Sequence, residues 1–515
     1  MHYGREKGGL DSNVKRASSP VAFYLERAKG RTRAPGSQSE RLPVAGHSES
    51  SLSSLRFLVW LYFWLLLWEG ALRKWLLPSL STPLLIVRDP VVLLIYAMAL
   101  AKGVFSFNRF IISIMTLGAI SLGASLLVFD HLGITLYGLR TNFLHLPLIF
   151  ILPNVMRQKD VIRMGGWILL LSLPMTLLVA YQFVSPPGAW INAAAGGDPG
   201  QMLAVGERIR PAGIFSFVTG MVSFLGVAAA FLLSGFLDRD ALPRGLCIAA
   251  IPALLFSLAL SGSRSALASV TIIVIAVLLI CMRQFARFSR VLTPALLAYI
   301  TFLGFCYLPL FREGLEVHDE RLKAGGGVNR GIIARYLGDF GESIEVAAQT
   351  PLLGRGLGIG TNAGAALLTG SRSFLLGESE LSRVIGESGP VLGYGYLILR
   401  LAICLFIVRR CWAAVGRGQA LPFLLIASNG LDLVSGQFGQ PTTLGFAVLF
   451  SGLALTSIDD SDSEADLQVP LKIARRIRGR APVAEAILRS DPVTTPLAPP
   501  FSPSTAARDR SPPGQ

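Results

Sequence analysis

Apolar runs of about twenty residues recur along this chain from Leu55 to Ile458, and no other property of the sequence restricts its fold as tightly. A bilayer core about 30 Å thick takes about twenty helical residues to cross. Inside it each segment must satisfy its own backbone groups. The runs therefore predict an all-α polytopic membrane protein rather than a set of soluble domains. Composition agrees, because only 15% of the residues are charged where a soluble protein carries about 25%. The first span opens at Leu55 in LRFLVWLYFWLLLW, whose tryptophans suit an interfacial belt. Others are expected near 90–102, 108–128, 132–152, 164–184, 213–236, 246–261, 265–282, 291–310, 389–408, 420–434 and 440–457, about twelve in all.

The charge pattern orients those spans. With the N-terminus in the cytoplasm, the inside connections hold Lys102 and Arg109; Arg157, Lys159 and Arg163; Arg239 and Arg244; Arg283, Arg287 and Arg290; and Arg409, Arg410 and Arg417. Each is basic, as the positive-inside rule requires. The opposite connections near Asp130 and Gln437 contain no Lys or Arg. Both termini are then cytoplasmic, and the loops 185–212 and 311–390 face the periplasm. Residues 1–54 read as a disordered basic arm without a secretory signal, and 458–515 as a disordered tail, flanking a transmembrane domain over 55–457. The net charge of +15 lies mostly in short connections and tails. That placement fits topology and anionic membrane lipids, not nucleic acid. The cysteines Cys247, Cys281, Cys306, Cys404 and Cys411 all lie in or beside apolar runs, so neither disulfides nor a metal site are expected.

The residues that break the charge pattern are the informative ones. Arg208, Arg210 and Arg264 fall on the outer side, and the 311–390 loop adds others, including Arg312, Arg321, Arg355 and Arg383. Guanidinium groups bind phosphate oxygens in pairs and keep their charge. Outer-surface arginines suit a lipid-linked diphosphate; the plainer alternative is snorkelling to headgroups or pairing with nearby acids. Ser261-Gly262-Ser263-Arg264 sits at a helix start, where free N–H groups favour an anion and where Ser also serves simply as a cap. Arg140, Asn142 and His145 interrupt the fourth span. Ionisable groups there line a cavity or find a partner, although Arg140 and His145, spaced near one turn, need not share a face closely. Arg400 lies within the tenth span with Asp432 as a possible counter-ion.

The long loop reads as the working face. From Arg330 to Thr350 apolar residues recur at helical spacing among Asp339, Glu342 and Glu345, an amphipathic helix for a membrane surface or a cavity roof. Pro351 ends it. The PLLGRGLGIG that follows is a glycine-rich turn whose backbone can approach a ligand, without the Lys-Ser/Thr ending of a nucleotide loop. Next come Glu378, Glu380, Arg383 and Glu387. Glu380, Arg383 and Glu387 share one helix face at i, i+3 and i+7. This is either an ion network or a carboxylate base beside an arginine that holds a leaving diphosphate.

Four segments in order resemble the O-antigen ligase and polymerase family of membrane glycosyltransferases. GERIRPAGIF is similar to the family's Arg-x-x-Gly-x-Phe, with Arg210, Gly213 and Phe215 on the pattern. LSGSRSALA resembles its Ser-Arg-Gly helix start, with Ser265 in place of Gly. TPLLGRGLGIG resembles its Pro-Leu-Leu-Gly-x-Gly-x-Gly, and GESGPVLG its Glu-x-Gly. EGALRKWLLPSLSTPLL and GESELSRVIGESGP look like a subgroup associated with exopolysaccharide. One departure stands out: the family's His-Asn, nine residues before the Glu-x-Gly glutamate, is Glu378-Ser379 here.

The resemblance implies a GT-C-like fold and inverting transfer without metal or other cofactor. A polyprenyl-diphosphate-linked glycan would be the donor, and another glycan or lipid carrier the acceptor, at the periplasmic face of a bacterial inner membrane. It implies Arg210 and Arg264 on the diphosphate with Arg355 and Arg383 in support. Glu378 or Glu380 would be the base, and Arg140 and Glu387 would assist. A transporter of lipid-linked glycan, with Arg140 and Arg400 along its path, is the alternative. A non-catalytic relative that has lost the histidine is a third.

Overall fold

The computed structural model describes residues 52–195, 208–238, 242–324, 333–370, 375–377 and 379–459. Apart from residues 52–54, 458 and 459, the two arms expected to be disordered lie outside the described residues, as does Glu378. The described chain is helical throughout, without a β-strand. In order it runs α1 Ser53–Ala71, α2 Asp89–Ala101, α3 Arg109–Val128, α4 Leu132–Leu139, α5 Leu148–Val155, α6 Gln158–Val184, α7 Val218–Leu237 and α8 Arg244–Leu260. Then follow α9 Arg264–Arg283, α10 Phe288–Phe305, α11 Pro309–Ala324, α12 Ile333–Gln349, α13 Asn362–Thr369, α14 Glu380–Gly416, α15 Leu421–Ser435 and α16 Pro441–Thr456.

Among the described residues eight helical segments are long and apolar enough to cross a membrane. A ninth is counted if α4 with its following turn and α5, bent by 47°, form one span. The α8, α15 and α16 helices occupy expected spans but have 17, 15 and 16 residues. At 1.5 Å per residue they reach roughly 22–26 Å, short of the hydrocarbon thickness. Every residue of α16 is buried, and α7 buries 83% of its apolar window. By contrast, α10 buries only Pro294. The molecule thus has a central helix pair, α7 and α16, and outer helices whose large apolar side chains face away from it.

Two breaks shape the interior. The segment Arg140–Leu144 after α4 is a π-helical turn, and Pro147, which lacks an N–H, starts α5. In α14, Gly389 leaves helical geometry with φ 79° and ψ 167° just before Pro390, because a residue preceding proline is pushed out of the α region. The span expected from 389 starts at this break, and a shorter helical stretch precedes it from Glu380, where Ser379 Oγ accepts from the Ser382 backbone N at 3.1 Å. The expected 311–390 loop contains three helices, α11, α12 and α13. On α12 the apolar Phe340 and Ile344 are exposed while Ser343 is buried, which leaves the apolar side facing out, as a membrane surface would require.

Candidate functional site: a buried charge cluster at the break in α14

The first turns of α14 carry Glu380, Arg383 and Glu387 on one face, as their spacing predicts. Arg383 lies between the two carboxylates. Its Nε donates to Glu380 Oε2 and its Nη2 to Glu380 Oε1, each at 2.9 Å, and its Nη1 donates to Glu387 Oε2 at 2.9 Å. Nη2 also donates to Asn142 Oδ1 at 2.9 Å, so four of the five guanidinium donors are engaged. From beyond the break, Arg400 Nη1 donates to Glu380 Oε1 at 2.7 Å. Its other nitrogens bond the carbonyls of Leu433, Asp432 and Gly436, and the guanidinium lies 3.6 Å from the Phe438 ring centre. Tyr396 closes the cluster by donating to the Asn142 carbonyl at 2.6 Å.

Glu380, Arg383, Glu387, Arg400 and Asn142 are all at most 5% exposed. Two guanidiniums against two carboxylates leave no net charge, which is what allows four ions to sit away from water. The counter-ion of Arg400 is thus Glu380, not Asp432. The Asp432 carboxylate instead accepts from Ser223 Oγ at 2.9 Å, because the helix directs its backbone oxygen, not its side chain, at the guanidinium.

The glycine-rich turn explains how the cluster is held. Gly354, Gly356 and Gly358 all have positive φ. The turn folds over the break in α14: the Arg355 and Gly356 N–H groups donate to the Gly386 and Glu387 carbonyls, each at 3.0 Å, and the Gly360 N–H to Glu387 Oε1 at 3.0 Å. Leu357 N–H donates to Ser125 Oγ on α3 at 2.9 Å. The close approach expected for a ligand is made here to the protein's own helices. A Cβ on Gly354 would stand 2.2 Å from the Glu387 carbonyl oxygen. Gly354→Ala is expected to cost about 2–5 kcal/mol through clash and backbone strain together, read as a lowered Tm of the detergent-solubilised protein.

Beside the cluster lies a small pocket with Glu380 and Arg383 on one wall and Thr361, Asn362, Gln437 and Gln440 on the others. Its water-accessible volume is about 20 Å³, the room one water molecule needs. The glutamines come from the α15–α16 connection, which sequence reasoning treated only as an outer loop without basic residues. Their signal was the polar GQFGQP between two apolar runs.

Arg140, expected to assist this site, belongs to a second buried cluster. Its Nε and Nη2 bond the two Asp89 oxygens at 2.6 and 3.1 Å, and Nη2 also bonds the Leu85 carbonyl. His145 Nε2 meets Asp89 Oδ1 at 2.9 Å, and its Nδ1 meets Tyr62 Oη at 3.1 Å. Spaced near one turn, Arg140 and His145 need not share a face closely in an α-helix. The π turn between them, with its i to i+5 repeat, brings both onto one carboxylate. Farther along, Arg88 joins Tyr62 to Glu69, and Glu69 accepts from Arg73 at 3.2 Å. Asp89, Glu69, Arg88 and Arg73 were missed, although each is a charge inside or at the edge of an apolar run.

The remaining arginines lie apart from these clusters. In Ser261-Gly262-Ser263-Arg264, Ser263 Oγ accepts from the Ala266 N–H and Gly262 takes φ 52°, so the segment is a helix cap. Arg264, half-exposed at the start of α9, has no hydrogen bond or ion pair among the described residues. Arg355 is exposed on the glycine turn, and its side chain is likewise without a partner there. Arg210 is half-buried ahead of Gly213, whose carbonyl accepts from Lys74 Nζ at 2.7 Å. Arg208 pairs with Glu313 of α11. From the same helix Arg321 donates to the Gly262 carbonyl at 2.8 Å, beside Arg264.

Buried His318 also ties α11 down, donating from Nε2 to the Leu258 carbonyl at 2.9 Å. Burial holds this imidazole below its usual 6.5, reinforced by Arg321 and opposed by the Leu258 bond. Since the folded value is the lower one, the neutral ring favours the fold. Attachment of α11 is complete above about pH 6.5 and weakens as pH falls below it. The hydrogen-exchange protection of α11, taken relative to the intrinsic rate at each pH, is expected to fall as the pH drops below 6.5, and His318→Gln to remove that dependence.

No family model and no curated protein matches this chain, so its residues alone carry the functional reading.

Proposed function

We propose that this chain is a membrane glycosyltransferase of the O-antigen ligase and polymerase type. It transfers or polymerises glycan from a polyprenyl-diphosphate donor. In this reading the twelve expected spans form a GT-C-like transmembrane domain in a bacterial inner membrane, with both termini cytoplasmic and 311–390 periplasmic. The observation that carries it is the buried Glu380–Arg383–Glu387–Arg400 cluster, which opens on a polar pocket at a helix break. Buried ionic groups in apolar helices are costly and mark functional sites.

The acceptor hydroxyl attacks the anomeric carbon, the bond from that carbon to the diphosphate oxygen breaks, and the diphosphate leaves with the electron pair. Arg264 and Arg355, with charges not spent on an internal partner, hold the diphosphate, and Arg210 stands with them. Arg383 has four donors committed and keeps one for a ligand at the pocket. Both Glu380 oxygens are occupied by guanidiniums, so Glu380 positions Arg383 and Arg400. The proton acceptor is assigned to Glu378, two residues before it. Glu387 anchors the glycine turn.

Purified protein in nanodiscs, given a synthetic polyprenyl-diphosphate glycan, tests the proposal. Transfer releases polyprenyl diphosphate and lengthens the glycan. Movement of intact donor across the bilayer, without release, would favour the transporter.

A further inference from the structure

A second opening lies toward the other end of α14, between that helix and α3, and has a volume of about 880 Å³. It is an open groove in the lipid-facing surface. Its walls carry Ile112, Ile120, Ile398 and Leu405, each more than half exposed. The two helices run antiparallel along it, because Phe110 near the start of α3 meets Phe406 near the end of α14, with ring centres 5.1 Å apart. Gly395 lines the far end, where an added Cβ would meet nothing within 4 Å. From Gly395 to Arg409 the groove runs about 21 Å, enough to cover the acyl region of one leaflet, about 15 Å. At the Phe110 end stand Arg109 and Arg409, both exposed. Neither has a carboxylate partner among the described residues; Arg109 lies over the Phe110 ring at 5.1 Å. Lys102 and Arg410, which the sequence also assigns to the cytoplasmic side, are close by in the chain.

We propose that this groove binds a diacyl phospholipid with an anionic headgroup, its acyl chains along the apolar walls and its phosphate between Arg109 and Arg409. Two fixed cations at the mouth of an apolar slot match a charged head on apolar chains. An extended peptide does not fit, since its backbone N–H and C=O groups would face hydrocarbon unsatisfied. The site is separate from the cluster at Glu380, and its occupancy does not depend on the transfer reaction.

Full-length protein in mixed micelles, titrated with phosphatidylglycerol or phosphatidylcholine and read by native mass spectrometry, tests this. Wild-type protein is expected to prefer phosphatidylglycerol by about tenfold or more. The double variant Arg109→Ala/Arg409→Ala is expected to bind it about thirtyfold more weakly. Gly395→Leu, which fills the groove without a backbone clash, should weaken both lipids. Equal binding of the two lipids by the wild type, or an unchanged preference in the double variant, would overturn the proposal. So would displacement of phosphatidylglycerol by an equimolar long-chain polyprenyl phosphate, which would show that the groove selects the other phosphate-bearing lipid.

Discussion

Replacing Glu380 with alanine is expected to destabilise the protein by about 3–5 kcal/mol, the cost of removing one partner from a buried ion pair. The geometry makes the loss double. One carboxylate accepts from both Arg383 and Arg400, and each guanidinium is at most 5% exposed. Without it Arg383 would keep only Glu387 and Arg400 would have no carboxylate, leaving one buried cation uncompensated at the break in α14. The variant should lower the Tm sharply, while Glu380→Gln, which keeps the shape and one acceptor oxygen, should lose less. Glu378→Gln separates structure from chemistry: it should leave the Tm unchanged and abolish glycan transfer. If instead Glu380→Gln kept full stability and lost transfer, Glu380 would be the base and not a positioning residue.

The second large effect is expected at Arg264. Arg264→Ala should lower transfer by about 10²–10³-fold, the usual effect of deleting one group that stabilises charge developing in a transition state. Insertion and Tm should hardly change, because Arg264 forms no ion pair among the described residues and Ser263, not Arg264, caps α9. Arg264→Lys should restore part of the activity, since it keeps the charge but not the paired donors. Normal polymer yield from Arg264→Ala would remove Arg264 from the site.

The helices were readable from the sequence because hydrophobicity is a local property: each expected span has an apolar helix. Crossing number was less so, since α8, α15 and α16 fill their expected apolar runs almost to the residue and are, at 17, 15 and 16 residues, short for a crossing. The face of Glu380, Arg383 and Glu387 was also readable, because i, i+3 and i+7 positions coincide in any α-helix. What they bond was not. Asn142 meets Arg383 from 241 residues away, and Arg140 reaches Asp89 from 51 away. The π turn that aims Arg140 and His145 leaves no periodicity for a reader to find. Glycines mark where something comes close without naming it. In 354–360 the close neighbours are α14, against Gly354 and Gly360, and α4, against Gly358.

The wholly buried α16 has a consequence for how the protein is made. It is the last helix among the described residues, and it is packed so closely that Gly445 lies against Arg88 and Leu66, and Gly452 against Ile149 and Leu152. A ribosome adding about 5–20 residues per second reaches it roughly 20–80 s after α1 has emerged. During that interval the faces that α16 covers have no partner. A nascent chain arrested before Pro441 would leave Leu66, Arg88, Ile149 and Leu152 without the helix packed against them, a surface for quality-control proteases to recognise.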